Sequence, residues 1–373
     1  MSGICLRILQ LSSAQSLGGG ERHLADLANG LVERGHEVFA VLRPRSALSG
    51  ELSKVAKENV KTLPLRNSLD AKSARELGKL VRKEDIHIVH AHMARDYPLA
   101  AYAARQNPNA RLILTRHVLF PLNRFHRLTF SKASRIIAVS QAVASQLRAD
   151  RVAPAEKISV VLNGIDTNRF ARARERFNRH EFLQNWKLPD QSLLVGTVGQ
   201  LTSLKGQHEF LHAAAQISTQ IPACNFVIAG IDHSPDGKNE ARIETLTDEL
   251  NLRPRVRRVK WLDNLAQLYC ALDVFVSASH TESFGLAIAE AMASRTAVVA
   301  TETEGALEII RPRETGLLTA VRSPNELAAA VTSLLMDEAT RLRLAQAGQR
   351  DVAERFDVER MVKETEEIYR PSL

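Results

Sequence analysis

The chain has 373 residues, 45% hydrophobic and 25% charged, the balance of a soluble globular protein that buries a full core and is long enough for two domains. No stretch approaches the roughly 20 apolar residues that cross a bilayer, which excludes a helical membrane protein. Net charge is +8, and three isolated cysteines (Cys5, Cys224, Cys270) show neither a CxxC pair nor zinc spacing, which argues for reduced, buried thiols and a cytoplasmic setting.

The opening "MSGICLRILQLSS" lacks a small-residue cleavage site and reads as a first buried strand, not a signal peptide. In chain order, strand patterns follow at "CLRILQLSS", "HEVFAVL", "NVKTLPL", "IHIVHAH", "ARLILTRH", "SRIIAVS" and "KISVVLN", most of them separated by helical stretches such as "ERHLADLANGLVER" and "AKSARELGKLVRKE". "NGIDTNRFARARERFNRHEFLQNWKLPDQ" is polar and arginine-rich and reads as a linker. A second strand set runs through "LLVGTVGQ", "NFVIAGI", "RVRRVKWL", "VFVSAS", "AVVATE" and "GLLTAV". Alternating strands and helices predict an α/β protein with parallel sheets. Two such sets in tandem predict two Rossmann-like domains facing across a cleft, with ligands at the carboxyl ends of the strands. The last helix pattern, "VERMVKETEEIY", suits either half.

Gly18, Gly19 and Gly20 follow the first strand and open the first helix. Glycines there suit either a flexible turn or a loop that lets backbone approach an anionic ligand. The GxGxxG spacing is missing, and the second strand ends in Arg43 and Arg45, where a dinucleotide site would place an acid, so NAD is disfavoured. In "GTVGQLTSLKGQHEFL", Lys205 sits where a helix opens and can meet a phosphate as a point charge, although surface lysines at helix starts are common and no Walker motif is present. In "TESFGLAIAEA", a turn at 281–285 leads into an apolar helix. Free N–H groups there suit a diphosphate. Glu282 and Glu290 are eight residues apart, about 12 Å along one continuous helix at 1.5 Å per residue. That is too far for paired acid–base work on one glycosidic bond, which needs about 5–9.5 Å, but it spans a nucleotide sugar from hexose to ribose. The apolar surroundings of Glu290 predict a buried carboxylate that needs a partner. His90, His92 and His117 each fall at a strand end. A metal site on His-x-His alone is a weak reading, with no carboxylate beside it.

Taken in order, "GGGERH", "TRH", "AVSQAVASQL", "NGIDTNRF", "VGQLTSLKGQHEFL", "ALDVFVSAS", "TESFGLAIAEAMA", "GALEII" and "TGLL" resemble the retaining glycosyltransferases of GT-B fold known as family 4, or group 1, over nearly the whole chain. The resemblance implies an acceptor-side domain at 1–170 and a donor domain at 171–355, with packing of a C-terminal helix at about 356–373 back on the first domain left as one of two options. It implies transfer of a sugar from a UDP- or GDP-sugar to a glycan, a glycolipid or another hydroxyl acceptor, in cell-envelope glycan synthesis. Glu282 would meet the donor sugar's hydroxyls and Glu290 the ribose. Lys205 and the backbone at Ser283, Phe284, Gly285 and Leu286 would hold the diphosphate, and Gly18, Gly19 and Gly20 would approach the donor. His117 would stand near the reacting centre, with His117, Glu282 and Lys205 as the catalytic set. No metal and no cofactor is implied. The family usually carries Gly-Arg-Leu where this chain has Gly199-Gln200-Leu201, so a second cation on the diphosphate is missing at Gln200. That departure keeps a non-catalytic sugar-nucleotide binder in view, beside a nucleotide-sugar epimerase of similar fold.

From Tyr97 to Ala149 there is no Asp or Glu, while Arg105, Arg111, Arg116, Arg124, Arg127, Lys132, Arg135 and Arg148 all fall there. Within "FPLNRFHRLTFSKASR", Phe120, Phe125 and Phe130 interleave with basic residues. This suits either a peripheral contact with an anionic membrane surface that carries a lipid-linked acceptor, or a solvated basic helix packed by its phenylalanines. No nucleic-acid module is present, so no nucleic-acid partner is expected.

Overall fold

A computed structural model describes residues 4–120, 122, 124–260 and 265–370, the side chains of Arg124 and Phe125 excepted. The chain divides into two units, Met1–Ile165 with Val358–Leu373, and Asp166–Asp357. The first unit holds a seven-stranded parallel sheet of β1 (Arg7–Ser12), β2 (Glu37–Leu42), β3 (Val60–Thr62), β4 (Ile88–Ala91), β5 (Arg111–Arg116), β6 (Arg135–Ala138) and β7 (Ile158–Val160), in the order β3-β2-β1-β4-β5-β6-β7. The second holds a six-stranded parallel sheet of β8 (Leu193–Val198), β9 (Cys224–Ala229), β10 (Val256–Val259), β11 (Val274–Ser277), β12 (Ala297–Thr301) and β13 (Leu317–Thr319), in the order β10-β9-β8-β11-β12-β13. Each strand pattern read from the sequence contains one of these strands, except that β9 starts at Cys224, one residue before "NFVIAGI". The end of "RVRRVKWL" at 261–262 lies outside the described residues.

The inner strands read as near-continuous apolar runs because both faces of each sheet are covered, whereas the edge strands β3 (VKT) and β10 (VRRV) are polar and more exposed. In β1, Ile8 packs with Leu24, Leu27 and Met361 on one face, while Leu9 and Leu11 pack with Leu77, Leu99 and Phe130 on the other. The helix Gly19–Glu33 buries Leu24, Leu27, Ala28 and Leu31, a 3.6-residue stripe. The C-terminal helix Val358–Tyr369 lies against it so closely that a Cβ on Gly30 would stand 2.6 Å from Val362 Cγ2. In the second unit, Val195, Phe210, Phe226, Val276 and Val299 share one core.

The segment read as a linker is helical. Helices Thr167–Glu175 and Arg179–Asn185 are capped by the side chains of Asp166 and Asn178 and bury Phe170 and Leu183. A polar, arginine-rich helix with only one or two inward apolar residues gives too weak a periodicity to stand out from a linker.

Each sheet has one point where strand order reverses, between β1 and β4 and between β8 and β11. Ligands of open α/β sheets bind beyond the carboxyl ends of the strands at such points. No helix among the described residues is long and apolar enough to cross a membrane.

Candidate functional site

In the second unit, the segments leaving β8 and β11 meet at the reversal point. After β8, Ser203–Lys205 form one 3₁₀ turn, and Gly206 at φ +66° redirects the chain into the helix Gln207–Gln220. After β11, Ser279 to Gly285 form a loop, and Gly285 at φ +104° starts the helix Leu286–Ala293. The Lys205 Nζ stands 2.6 Å from Glu282 Oε2, with the side chains 32% and 17% exposed. Ser279 Oγ donates to the same carboxylate oxygen at 3.3 Å. Two residues 77 positions apart are thus an ion pair at the mouth of a helix whose first N–H groups have no intrahelical acceptors.

The loop is pinned on several sides. His280 N–H donates to the Leu204 carbonyl at 2.8 Å, and its ring pairs with Glu209 at 2.8 Å. Thr301 Oγ1 donates to the Ser279 carbonyl at 2.5 Å, and Gly305 N–H to the Glu282 carbonyl at 2.9 Å. A Cβ on Gly305 would fall 2.3 Å from the Phe284 carbonyl oxygen, so only glycine lets "GALEII" lie against this turn. Phe284 is buried, edge-on to Phe356 at 5.4 Å between centroids, and anchors the turn from below. Gln200 is exposed, and its carbonyl accepts from Gln207 Nε2 at 2.9 Å.

Glu290 is 7% exposed and takes a hydrogen bond of 2.8 Å from the fully buried Tyr269 hydroxyl. The carboxylate is therefore buried and partnered, as its apolar surroundings predict. The separation derived for the two glutamates needs correcting. The helix begins at Leu286, after Glu282, so the 1.5 Å rise applies only from Leu286 to Glu290 and the 12 Å figure for one continuous helix does not hold.

His117 belongs to the first unit, whereas Lys205, Glu282 and Glu290 belong to the second. Its ring lies over the glycine turn: a Cβ on Gly20 would stand 3.4 Å from His117 Cγ. Gly18 caps the helix in extended backbone, and Glu21 accepts from the Gly18 N–H at 2.9 Å. Burial raises the Glu21 carboxyl above its ordinary pKa. At the ends of β4 and β5 the histidines form a chain. Gln10 Nε2 donates to Tyr369 Oη at 3.3 Å, and Gln10 Oε1 takes the Nε2–H of His92 at 2.8 Å. His92 Nδ1 is then an acceptor, and it faces His117 Nε2 at 3.3 Å. His90 bridges Tyr369 Oη at 2.5 Å and Thr115 Oγ1 at 2.6 Å. Burial holds all these imidazoles below their ordinary pKa, His23 at about 4. The sequence reading missed His23, Gln10 and Tyr369 here, and Ser279, His280, Thr301, Gly305 and Tyr269 in the second unit. Of these, His23 in "GGGERH", Ser279 in "ALDVFVSAS" and Gly305 in "GALEII" lay within segments that carry the resemblance.

The family model for glycosyl transferases group 1 matches residues 178–351, and that for glycosyltransferase family 4 matches residues 17–169. The chain is 26% identical to the N-acetyl-alpha-D-glucosaminyl L-malate synthase of Bacillus anthracis, over 95% of this chain and 94% of that protein. It is 28% identical to the lipopolysaccharide core biosynthesis glycosyltransferase LpsE of Rhizobium meliloti, over 92% and 93%. Among solved structures, a glycosyltransferase of Rickettsia africae superposes with a TM-score of 0.87 at 21% identity, covering 98% of each chain. HepE of Anabaena, solved with UDP and glucose, superposes with a TM-score of 0.84 at 23% identity, over 97% of this chain and 98% of that one. With one model matched in each unit and relatives aligned over almost its full length, the chain belongs to the group 1, family 4 glycosyltransferases of GT-B fold.

Proposed function

We propose that the protein transfers a sugar, with retention at the anomeric carbon, from a UDP- or GDP-sugar to a hydroxyl of a glycan or lipid-linked acceptor. The observation that carries this reading is the Lys205–Glu282 ion pair at the reversal point of the second sheet. A nucleotide sugar brings what each partner needs, a diphosphate for the ammonium and sugar hydroxyls for the carboxylate. On binding, Lys205 turns to the diphosphate together with the amides from Ser283 to Leu286, and Glu282 accepts from the sugar. Glu290, oriented by Tyr269, accepts from the ribose hydroxyls. Gly18, Gly19 and Gly20 give backbone access to the ligand, and the partly exposed His117 acts beside the reacting centre. Charge that develops on the leaving diphosphate is met by Lys205 and fixed N–H dipoles, without a metal. A donor phosphate oxygen takes the acceptor's proton. Relatives named for a glucosaminyl malate and for a lipopolysaccharide core support a hydroxyl-bearing acceptor.

A thermal-shift panel of nucleotide sugars tests the donor. A UDP- or GDP-sugar at 100 times its Kd stabilises by about 2.7 kcal/mol, and mass spectrometry with the best donor then shows a glycosylated acceptor or slow donor hydrolysis. Binding with neither product identifies a non-catalytic binder, for which Gln200 is the motive. Conversion of the donor alone, read by NMR, identifies an epimerase.

The acceptor side also supports peripheral attachment at the cytoplasmic membrane face. Phe130 is core, edge-on to Tyr97, whereas Phe120 and Leu128 are 59% and 65% exposed beside exposed Arg127 and Lys132. The side chains of Arg124 and Phe125 lie outside the described residues. The protein is expected to sediment with vesicles containing anionic lipid, and less so as salt rises. Equal recovery with neutral vesicles removes this reading.

A further inference from the structure

Among the described residues, three imidazoles lie close enough together to share one metal ion. His23, His92 and His117 come from three separate elements of the first unit, the glycine-turn helix and the ends of β4 and β5. One ring nitrogen from each falls within 4.8 Å of the others. His23 and His92 are 2% and 5% exposed. The Nδ1 atoms of His23 and His117 are buried without a hydrogen-bond partner among the described residues.

We propose that His23, His92 and His117 form a binding site for a single transition-metal ion of the zinc class, and that an ion held there withdraws His117 from transfer. Four features support the site. The His92 Nδ1 to His117 Nε2 separation of 3.3 Å is about the edge of a tetrahedron whose metal–nitrogen bonds are about 2.0–2.1 Å. Gln10 Oε1 holds the Nε2–H of His92, the carbonyl support that fixes a ligating imidazole and leaves its other nitrogen bare. Burial keeps the three rings neutral, the form that binds metal. His23 Nδ1 is buried without a hydrogen bond of ordinary geometry, and the Asn163 side chain lies close enough to bear on that ring. His117 is only partly buried whereas His23 and His92 are buried, so solvent reaches the trio at His117. An all-imidazole set selects zinc, copper or nickel over magnesium or calcium.

The inhibitory half rests on the role given to His117 above; the binding half does not. Tag-free protein is stripped with a chelator and dialysed against zinc, and bound metal is counted. Cobalt serves as a second probe, since a tetrahedral site gives a strong visible absorption. One ion per chain is expected, with affinity at least 10-fold weaker in His23→Gln and in His92→Ala, each checked for a native thermal transition. If either variant fails to fold, Gln10→Leu replaces it and is expected to weaken binding about 10-fold through His92 alone. No stoichiometric metal, or unchanged binding in the variants, overturns the site. Equal transfer rates for zinc-loaded and stripped protein overturn the inhibition alone. Binding without any transfer by the stripped protein supports the site and counts against the donor reading instead.

Discussion

Replacing Glu282 by alanine is expected to lower kcat/KM for transfer by at least 100-fold while leaving the thermal transition within a few degrees of wild type. The two effects separate because the carboxylate has different partners in the free and loaded protein. In the free protein its chief partners are Lys205 at 2.6 Å and Ser279 at 3.3 Å. Lys205 is about a third exposed, so water solvates it when the carboxylate goes, and such pairs contribute about 0–1 kcal/mol to stability. In the loaded protein the same oxygens accept from sugar hydroxyls in a site from which water is excluded. Each such bond to a charged group is worth about 1.5–3 kcal/mol, and two of them reach the 100-fold expected. Glu282→Gln keeps the shape and one acceptor oxygen but loses the charge, and should fall between. Lys205→Met should raise the Kd for the free nucleoside diphosphate, because the phosphates lose their point charge. Wild-type transfer by Glu282→Ala would sink the assignment of this loop. A large stability loss would mean the pair holds the fold and says little about the donor.

The inner strands of both sheets were legible because parallel strands covered on both faces must be apolar at successive positions, a local signal; the polar edge strands β3 and β10 carry it only weakly. The buried state of Glu290 was legible for the same reason, since "FGLAIAEAMA" is apolar all round. What could not be read was anything set by which strands become neighbours. Lys205 and Glu282 meet because β11 pairs with β8 and not with β10, and no local pattern encodes that order. Tyr269 reaches Glu290 from a helix with no motif of its own. Gly305 was noted only as the start of "GALEII", yet its missing side chain is what lets the Phe284 carbonyl approach. The histidines were visible one at a time as strand ends. Their clustering depends on the helix Gly19–Glu33 placing His23 beside β4 and β5.

Gly206→Ala is expected to destabilise the second unit by about 2–5 kcal/mol and to abolish donor binding at the same time. Gly206 is left-handed at φ +66°, which costs an alanine about 1–2 kcal/mol through contact of its Cβ with its own backbone. The added Cβ would also fall 1.8 Å from the Ala278 carbonyl oxygen and 2.6 Å from its carbon. That neighbour is backbone at the end of β11, not a side chain that can rotate away, and forcing atoms into packed structure adds about 1–3 kcal/mol. Relief requires moving Lys205, Ala278 or both. Lys205 precedes the glycine directly, and Ala278 leads into the loop that carries Glu282, so either movement separates the ion pair. Gly199→Ala is the informative control in the same loop. Its Cβ would meet only the Lys205 side chain, at 3.8 Å, an ordinary contact. Stability should stay within about 0.5 kcal/mol of wild type, so any loss of transfer there reports a ligand lying against Gly199. At about 2–4 °C per kcal/mol for a unit of this size, the Gly206 variant should melt about 4–20 °C lower. If Gly206→Ala melts with the wild type, the loops after β8 and β11 are not packed against each other at this point, and a Lys205–Glu282 pair fixed before the donor arrives loses its structural basis.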